Sequence, residues 1–168
     1  MRLLFIRHAI AEDREIHDGN DLQRELSEKG KERADIVSKM LASYYGAPTY
    51  IFTSTALRAT QTAEITGKHF GVTVNQTEAL LPGANIEGFK QLLAPYYKKE
   101  STAVIVGHEP DFSFIISALI SSEDVAISVK KSSCIEIEID EKFYGELKAS
   151  IPPKFLMHFA TKETDDTV

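Results

Sequence analysis

Three short apolar runs, each ending in residues suited to anions, constrain this chain more than any other feature. They are Leu3-Leu4-Phe5-Ile6, Tyr50-Ile51-Phe52-Thr53 and Ala103-Val104-Ile105-Val106. Short runs without polar alternation fit strands buried on both faces, as in a parallel sheet. Parallel strands bring their C-terminal ends to one edge, and ligands of α/β sheets bind in the crevice there. Arg7-His8 follows the first run and Ser54 to Ala63, containing Arg58, follows the second. Gly107-His108-Glu109-Pro110 follows the third. Two Arg and two His should therefore surround one crevice. A guanidinium is a planar multi-donor that matches phosphate oxygens, and a neutral imidazole nitrogen can carry a phosphoryl group covalently. The expected ligand is a tetrahedral anion.

The segments between the runs carry helix signals. Ser27 is placed to N-cap a helix running to about Tyr45, with Ile36, Val37, Met40 and Leu41 on its apolar face, ended by Gly46 and Pro48. Ser54 or Thr55 is expected to open a second helix that ends near Phe70-Gly71, followed by a short strand over Val72 to Thr77. Ile86 to Tyr97 is helix-like around Pro95, which should end or kink it. Asp111 to Ile120 follows as a helix. Cys134 to Asp140 alternates Ile with Glu at period two, a strand with one wet face, and Gly145 to Ile151 can pair with it as a hairpin. Pro152-Pro153 is expected to break regular structure, and the polar tail Lys162 to Val168 to fray. The fold class implied is a three-layer α/β/α sandwich. Its central sheet is mostly parallel, with an antiparallel C-terminal strand or hairpin, in one domain over residues 1–168.

Composition narrows the function. A net charge of −6 argues against a nucleic-acid binder, and the one Cys among 168 residues allows no internal disulfide. No apolar run is long enough to span a bilayer and no signal peptide is apparent. The expectation is a cytoplasmic, monomeric protein without membrane or nucleic-acid partners.

Arg7-His8, the Ser54 to Ala63 stretch with Arg58, and Gly107-His108-Glu109-Pro110 together resemble the three signatures of the histidine phosphatase superfamily. The resemblance runs from Met1 to about Ile120. Ala9 stands where the usual first signature has Gly. The short length and the stretch Arg24-Glu25-Leu26-Ser27-Glu28-Lys29-Gly30 resemble the SixA-type phosphohistidine phosphatase branch. The resemblance implies a phosphoglycerate mutase-like fold. His8 would be the nucleophile, with Arg7 and Arg58 clamping the phosphate oxygens. His108 would complete the clamp as an imidazolium, and Arg24 is a further phosphate ligand on its loop. No cofactor and no metal are expected, because side chains supply the positive charge. Ester substrates need a general acid. Glu78 lies near where one would fall, and Asp13, Asp18 and Glu109 are other loop carboxylates. A phosphohistidine needs less help, since a protonated imidazole leaves well.

Each residue also has a plainer reading. An Arg-His pair is commonly a surface pair, and a helical Arg is commonly solvated or salt-bridged. His17, His69 and His158 lack comparable context and fit surface or packing roles. Cys134 fits a small core residue, and Glu136 and Glu138 a wet strand face. Joint occurrence after three strands, in order, favours the site. The expected activity is a metal-independent phosphatase acting on a phosphorylated protein such as a histidine phosphotransfer domain. The alternatives are a small phosphoester phosphatase and a non-catalytic phosphate-binding module.

Overall fold

The computed structural model describes the backbone of residues 1–165 and the side chains of residues 1–160. Strands β1 (Arg2–Arg7), β2 (Tyr50–Ser54), β3 (Val74–Thr77), β4 (Thr102–Gly107), β5 (Cys134–Ile139) and β6 (Gly145–Ile151) form one sheet in the order β3-β2-β4-β1-β5-β6. The pairs β2–β3, β2–β4 and β1–β4 are parallel, whereas β5 is antiparallel to both β1 and β6. β4 is thus inserted between β1 and β2, which makes the crevice beyond their C-terminal ends the natural ligand site.

The helices are α1 (Glu28–Tyr45), α2 (Leu57–Phe70), α3 (Ile86–Leu93), α4 (Asp111–Ile120) and α5 (Pro153–Asp165). Alternation along the strands divides the core in two. Leu3, Phe5, Ala103 and Ile105 pack against Phe89 and Leu93 of α3 and Phe112, Ile115 and Ile116 of α4. Leu4, Ile6, Val104 and Val106 face the other way, onto Val37 and Leu41 of α1, Ala59 and Ala63 of α2, and Leu156 of α5. The three-layer expectation holds. Phe5 is fully buried against Phe89 and edge-on to Phe112, with centroids 5.4 and 5.1 Å away. Burying such a side chain stabilises by about 1.5–3 kcal/mol.

Three local expectations are corrected. α2 is capped at Ala56 without a side-chain cap, because Ser54 ends β2 and Ser54 Oγ accepts from Ala56 N at 3.2 Å. Pro153 begins α5 instead of breaking regular structure. Proline suits a first helical turn, where its missing N–H costs nothing, and Phe155 N donates to Pro152 O at 3.0 Å. The expected frayed tail is helical to Asp165, and its remainder, 166–168, lies outside the described residues. The division of the 86–97 stretch at Pro95 is as expected, α3 giving way to a short 3₁₀ turn over Ala94–Tyr96.

The segment between β1 and α1 is pinched into a loop. Ala11 bridges Leu26, Glu12 N donates to Glu25 O at 2.9 Å, and Ser27 N donates to Ile10 O at 3.0 Å. Ser27 caps α1 through Gly30 N at 3.1 Å, and Gly30 meets the same Ile10 carbonyl, where an added Cβ would lie 1.9 Å from the oxygen. The backbone cannot yield cheaply there. Gly30→Ala is expected to cost about 1–3 kcal/mol, the usual range for overpacking, by driving α1 from the loop. Urea denaturation checks this, and an unchanged midpoint would contradict the close approach.

Candidate active site

The ends of β1, β2 and β4 meet one pocket of about 680 Å³, lined by Arg7, His8, Arg24, Arg58, His108 and Lys131, together with the carboxylates Glu12, Asp13, Asp21 and Glu109. β1 and β4 pair in register with Arg7 opposite Gly107, and His8 N donates to Gly107 O at 3.0 Å. The strand ladder itself therefore sets His8 beside His108, with ring centroids 5.1 Å apart. Gly107 has no Cβ for a reason: one would lie 2.7 Å from the Phe112 ring, which packs beneath the site.

His8 Nδ1 lies 2.8 Å from Ala9 O. A carbonyl only accepts, so Nδ1 carries the ring proton and Nε2 keeps its lone pair. Burial, which outweighs the Ala9 hydrogen bond that favours charge, together with His108, Arg58 and Arg7 pushes the His8 pKa down to about 3. The ring is neutral at physiological pH, as a nucleophile must be.

His108 is likewise pushed down to about 3, by burial first and Arg58 next. This corrects the imidazolium expected at that position, because burial deprives a charged ring of solvation and Arg58 outweighs the opposing pull of Asp21. Ser54 Oγ lies 2.9 Å from His108 Nε2 and already accepts from Ala56 N, so its hydrogen is free to donate to Nε2. The proton of the neutral ring then sits on Nδ1, a buried atom without a protein partner.

Arg58, in the first turn of α2, is 3 % exposed. Its Nη2 lies 3.1 Å from Asp21 Oδ2 and its Nη1 donates to Asp21 O at 2.7 Å. Asp21, in a 3₁₀ turn at the tip of the pinched loop, also takes Arg24 Nε and Arg14 Nε on Oδ1, each at 3.1 Å. Burial raises its pKa, but Arg58, Arg24 and Arg14 outweigh that and hold it below the usual carboxylate range. Arg24 Nη1 further donates to Glu12 O at 2.7 Å. Arg7 Nη1 donates to Val129 O at 2.8 Å. Arg7 Nε, Arg58 Nε and His108 Nδ1 are all buried without a protein partner. Such atoms depart from the rule that buried polar groups find partners.

Arg7, His8, Arg24, Arg58 and His108 are thus brought together. Glu78 is not: it is exposed, opens a short turn beyond the edge strand β3, and does not line the pocket. β3 lies on the far side of β2 from β4, which carries its end away from His8. Asp18 does not line the pocket either, whereas Asp13 and Glu109 do. Ser54 could have been found by the same strand-end reasoning that singled out His8 and His108. Asp21 and Lys131 carried no signal, since loop tertiary structure alone brings them in.

The sequence profile of the histidine phosphatase superfamily, branch 1, matches residues 3–81. The chain belongs to that superfamily. A protein of uncharacterised function from Picosynechococcus sp. is 34% identical over 113 residues, covering 66% of this chain and 68% of the relative. Among solved structures, the protein histidine phosphatase SixA complexed with tungstate matches with a TM-score of 0.83 at 19% identity, over 93% of this chain and 99% of that one. A putative phosphohistidine phosphatase SixA from Agrobacterium tumefaciens matches at 0.76 and 23% identity, over 90% and 98%. The mycobacterial glucosyl-3-phosphoglycerate phosphatase matches at 0.72 and 18%, over 88% and 97%. The fold is that of these phosphatases, and the superfamily match supports phosphatase activity. Among the described residues no helix is long and apolar enough to cross a membrane.

Neutral burial of His8 and His108 has a thermodynamic consequence. Their native pKa values lie near 3 against an ordinary 6.5, so in between the unfolded chain binds protons that the native one does not. Stability should therefore fall with decreasing pH through that window, by about 1.4 kcal/mol per pH unit for each histidine. Urea titrations of the wild type and of His8→Gln/His108→Gln check it. The double variant should show the shallower slope, and equal slopes would contradict the neutral assignment.

Proposed function

We propose that the protein is a phosphatase working through a phosphorylated His8, with a protein phosphohistidine as its preferred substrate. The observation that carries the mechanism is the bond from His8 Nδ1 to Ala9 O, which leaves Nε2 free for attack. Nε2 attacks phosphorus and the bond to the leaving group breaks, its electron pair going to the leaving atom. Arg7 and Arg58 neutralise the phosphoryl oxygens as charge spreads in the transition state, and His108 donates from Nδ1. Water then attacks the phosphorus, the P–N bond breaks, its electron pair returns to Nε2, and orthophosphate leaves with one proton released to solvent. Arg24 acts through Asp21, which it helps to fix. The positive charge comes from protein side chains, so turnover is expected to survive a chelator.

What supports this substrate reading is the source of the leaving group's proton. Glu78 lies away from the pocket, and Asp21 is held ionised by three arginines, so neither is a ready acid. A phosphohistidine brings its own proton on the second ring nitrogen and departs as neutral imidazole. A histidine phosphotransfer domain is the substrate of this kind that fits best. The second reading is a small phosphoester. Asp13 and Glu109 line the pocket and could protonate an alkoxide, and one structural relative acts on a glucosyl-3-phosphoglycerate.

The test follows phosphate release from a histidine-phosphorylated relay domain and from a panel of phosphomonoesters. Fast release from the relay domain and slow ester turnover are expected. His8→Ala should abolish release, and Arg58→Ala should lower kcat/KM by about 100- to 1,000-fold. The reverse preference would move the function to small phosphoesters and make Glu109 the next target. Full activity of His8→Ala would overturn the mechanism.

A further inference from the structure

Five Arg and Lys side chains line the pocket, and four are already committed to protein acceptors. Arg7 donates to Val129 O, Arg14 to Asp21, Arg24 to Asp21 and Glu12 O, and Arg58 to Asp21. The fifth, Lys131, makes no ion pair among the described residues. We propose that Lys131 is a substrate-binding residue whose ammonium meets an oxygen of the bound phosphoryl group beside Arg7. The proposal rests on the pocket being the phosphoryl site and adds a ligand that lies outside the three strand-end segments.

Two further observations support it. The first is electrostatic. Burial lowers the Lys131 pKa, and Arg7, Arg24, Arg58 and Arg33 lower it further. A half-buried ammonium near these arginines and without an ion pair is costly to keep, and an anion arriving in the pocket offsets that cost.

The second is the turn that carries it. Val129 is buried and its carbonyl accepts from Arg7 Nη1 at 2.8 Å, while Ser132 N donates to Arg7 O at 3.0 Å. Ser133 N closes the turn onto Lys130 O at 2.8 Å. Ser132 is buried with φ at +63°, a conformation that a residue with a Cβ seldom adopts. Such outliers persist only where surrounding contacts impose them. Two of the turn's contacts come from Arg7, through its side chain and its backbone, so the turn that carries Lys131 is tied to that arginine. Lys130 is exposed and does not line the pocket, which makes it the natural control.

The experiment is calorimetric titration of inorganic phosphate into the full-length wild type, Lys131→Gln, Lys131→Arg and Lys130→Gln. Losing a charge-assisted contact should weaken phosphate binding about 10-fold or more in Lys131→Gln. Lys131→Arg should stay within about threefold of wild type, because it keeps the charge. Lys130→Gln should bind as wild type does. Removing the unpaired cation should also leave the urea midpoint of Lys131→Gln equal or higher. Should that variant fail to fold, the Lys131 ammonium resonance of the wild-type protein must move on addition of phosphate. Wild-type affinity in a folded Lys131→Gln, or an unmoved resonance, would overturn the proposal. Weakened phosphate binding combined with no release from a relay domain would sustain Lys131 while overturning the substrate reading. No phosphate binding by the wild type would overturn both.

Discussion

Everything in the candidate site depends on the parallel pairing of β1 with β4. That ladder sets Arg7 opposite Gly107 and closes with His8 N donating to Gly107 O at 3.0 Å. It fixes two histidines, more than ninety residues apart in sequence, at 5.1 Å between ring centroids. A one-residue slip in register would turn every alternate side chain to the opposite face. Leu3 and Phe5 on one side, and Leu4 and Ile6 on the other, are all buried in separate helical layers, so slippage would unpack both at once. The same hydrophobic burial that stabilises the sheet thereby aligns His8 with His108.

Charge in the pocket is arranged on two levels. The histidines are kept neutral by burial and by the surrounding arginines, which preserves a lone pair at His8 Nε2. The arginines in turn are held by Asp21 and by the backbone carbonyls of Glu12, Asp21 and Val129. Donors fixed in this way need little reorganisation when charge develops on a phosphoryl group, which is the larger part of electrostatic catalysis. Ser54 contributes by fixing which nitrogen of His108 carries the proton.

Much of this was legible in the sequence where local rules operate. Ser27 and Gly46 delimit α1 because a side-chain cap and a glycine with φ of +67° act within one turn. The strand ends bearing Arg7, His8 and His108 were legible because parallel strands share a direction. Elements that depend on distant contacts were not. Asp21 enters through a loop pinned by the Ala11–Leu26 bridge and by Gln61 Oε1 accepting from Leu26 N at 2.7 Å. Lys131 enters through a turn held by Arg7. Glu78 was misplaced because proximity to a strand end says nothing of which strand is at the edge. Pro153 was misread because a proline pair can start a helix as readily as it can end a strand.

The central claim is that His8 Nε2 takes the phosphoryl group, and the most direct measurement is rapid acid-free quenching of turnover followed by mass spectrometry of the trapped enzyme. The account predicts a transient single phosphorylation on His8, with nuclear magnetic resonance locating it on Nε2 and Nδ1 still protonated. A phosphoryl group on His8 Nδ1, on His108, or on no residue during active turnover would contradict it.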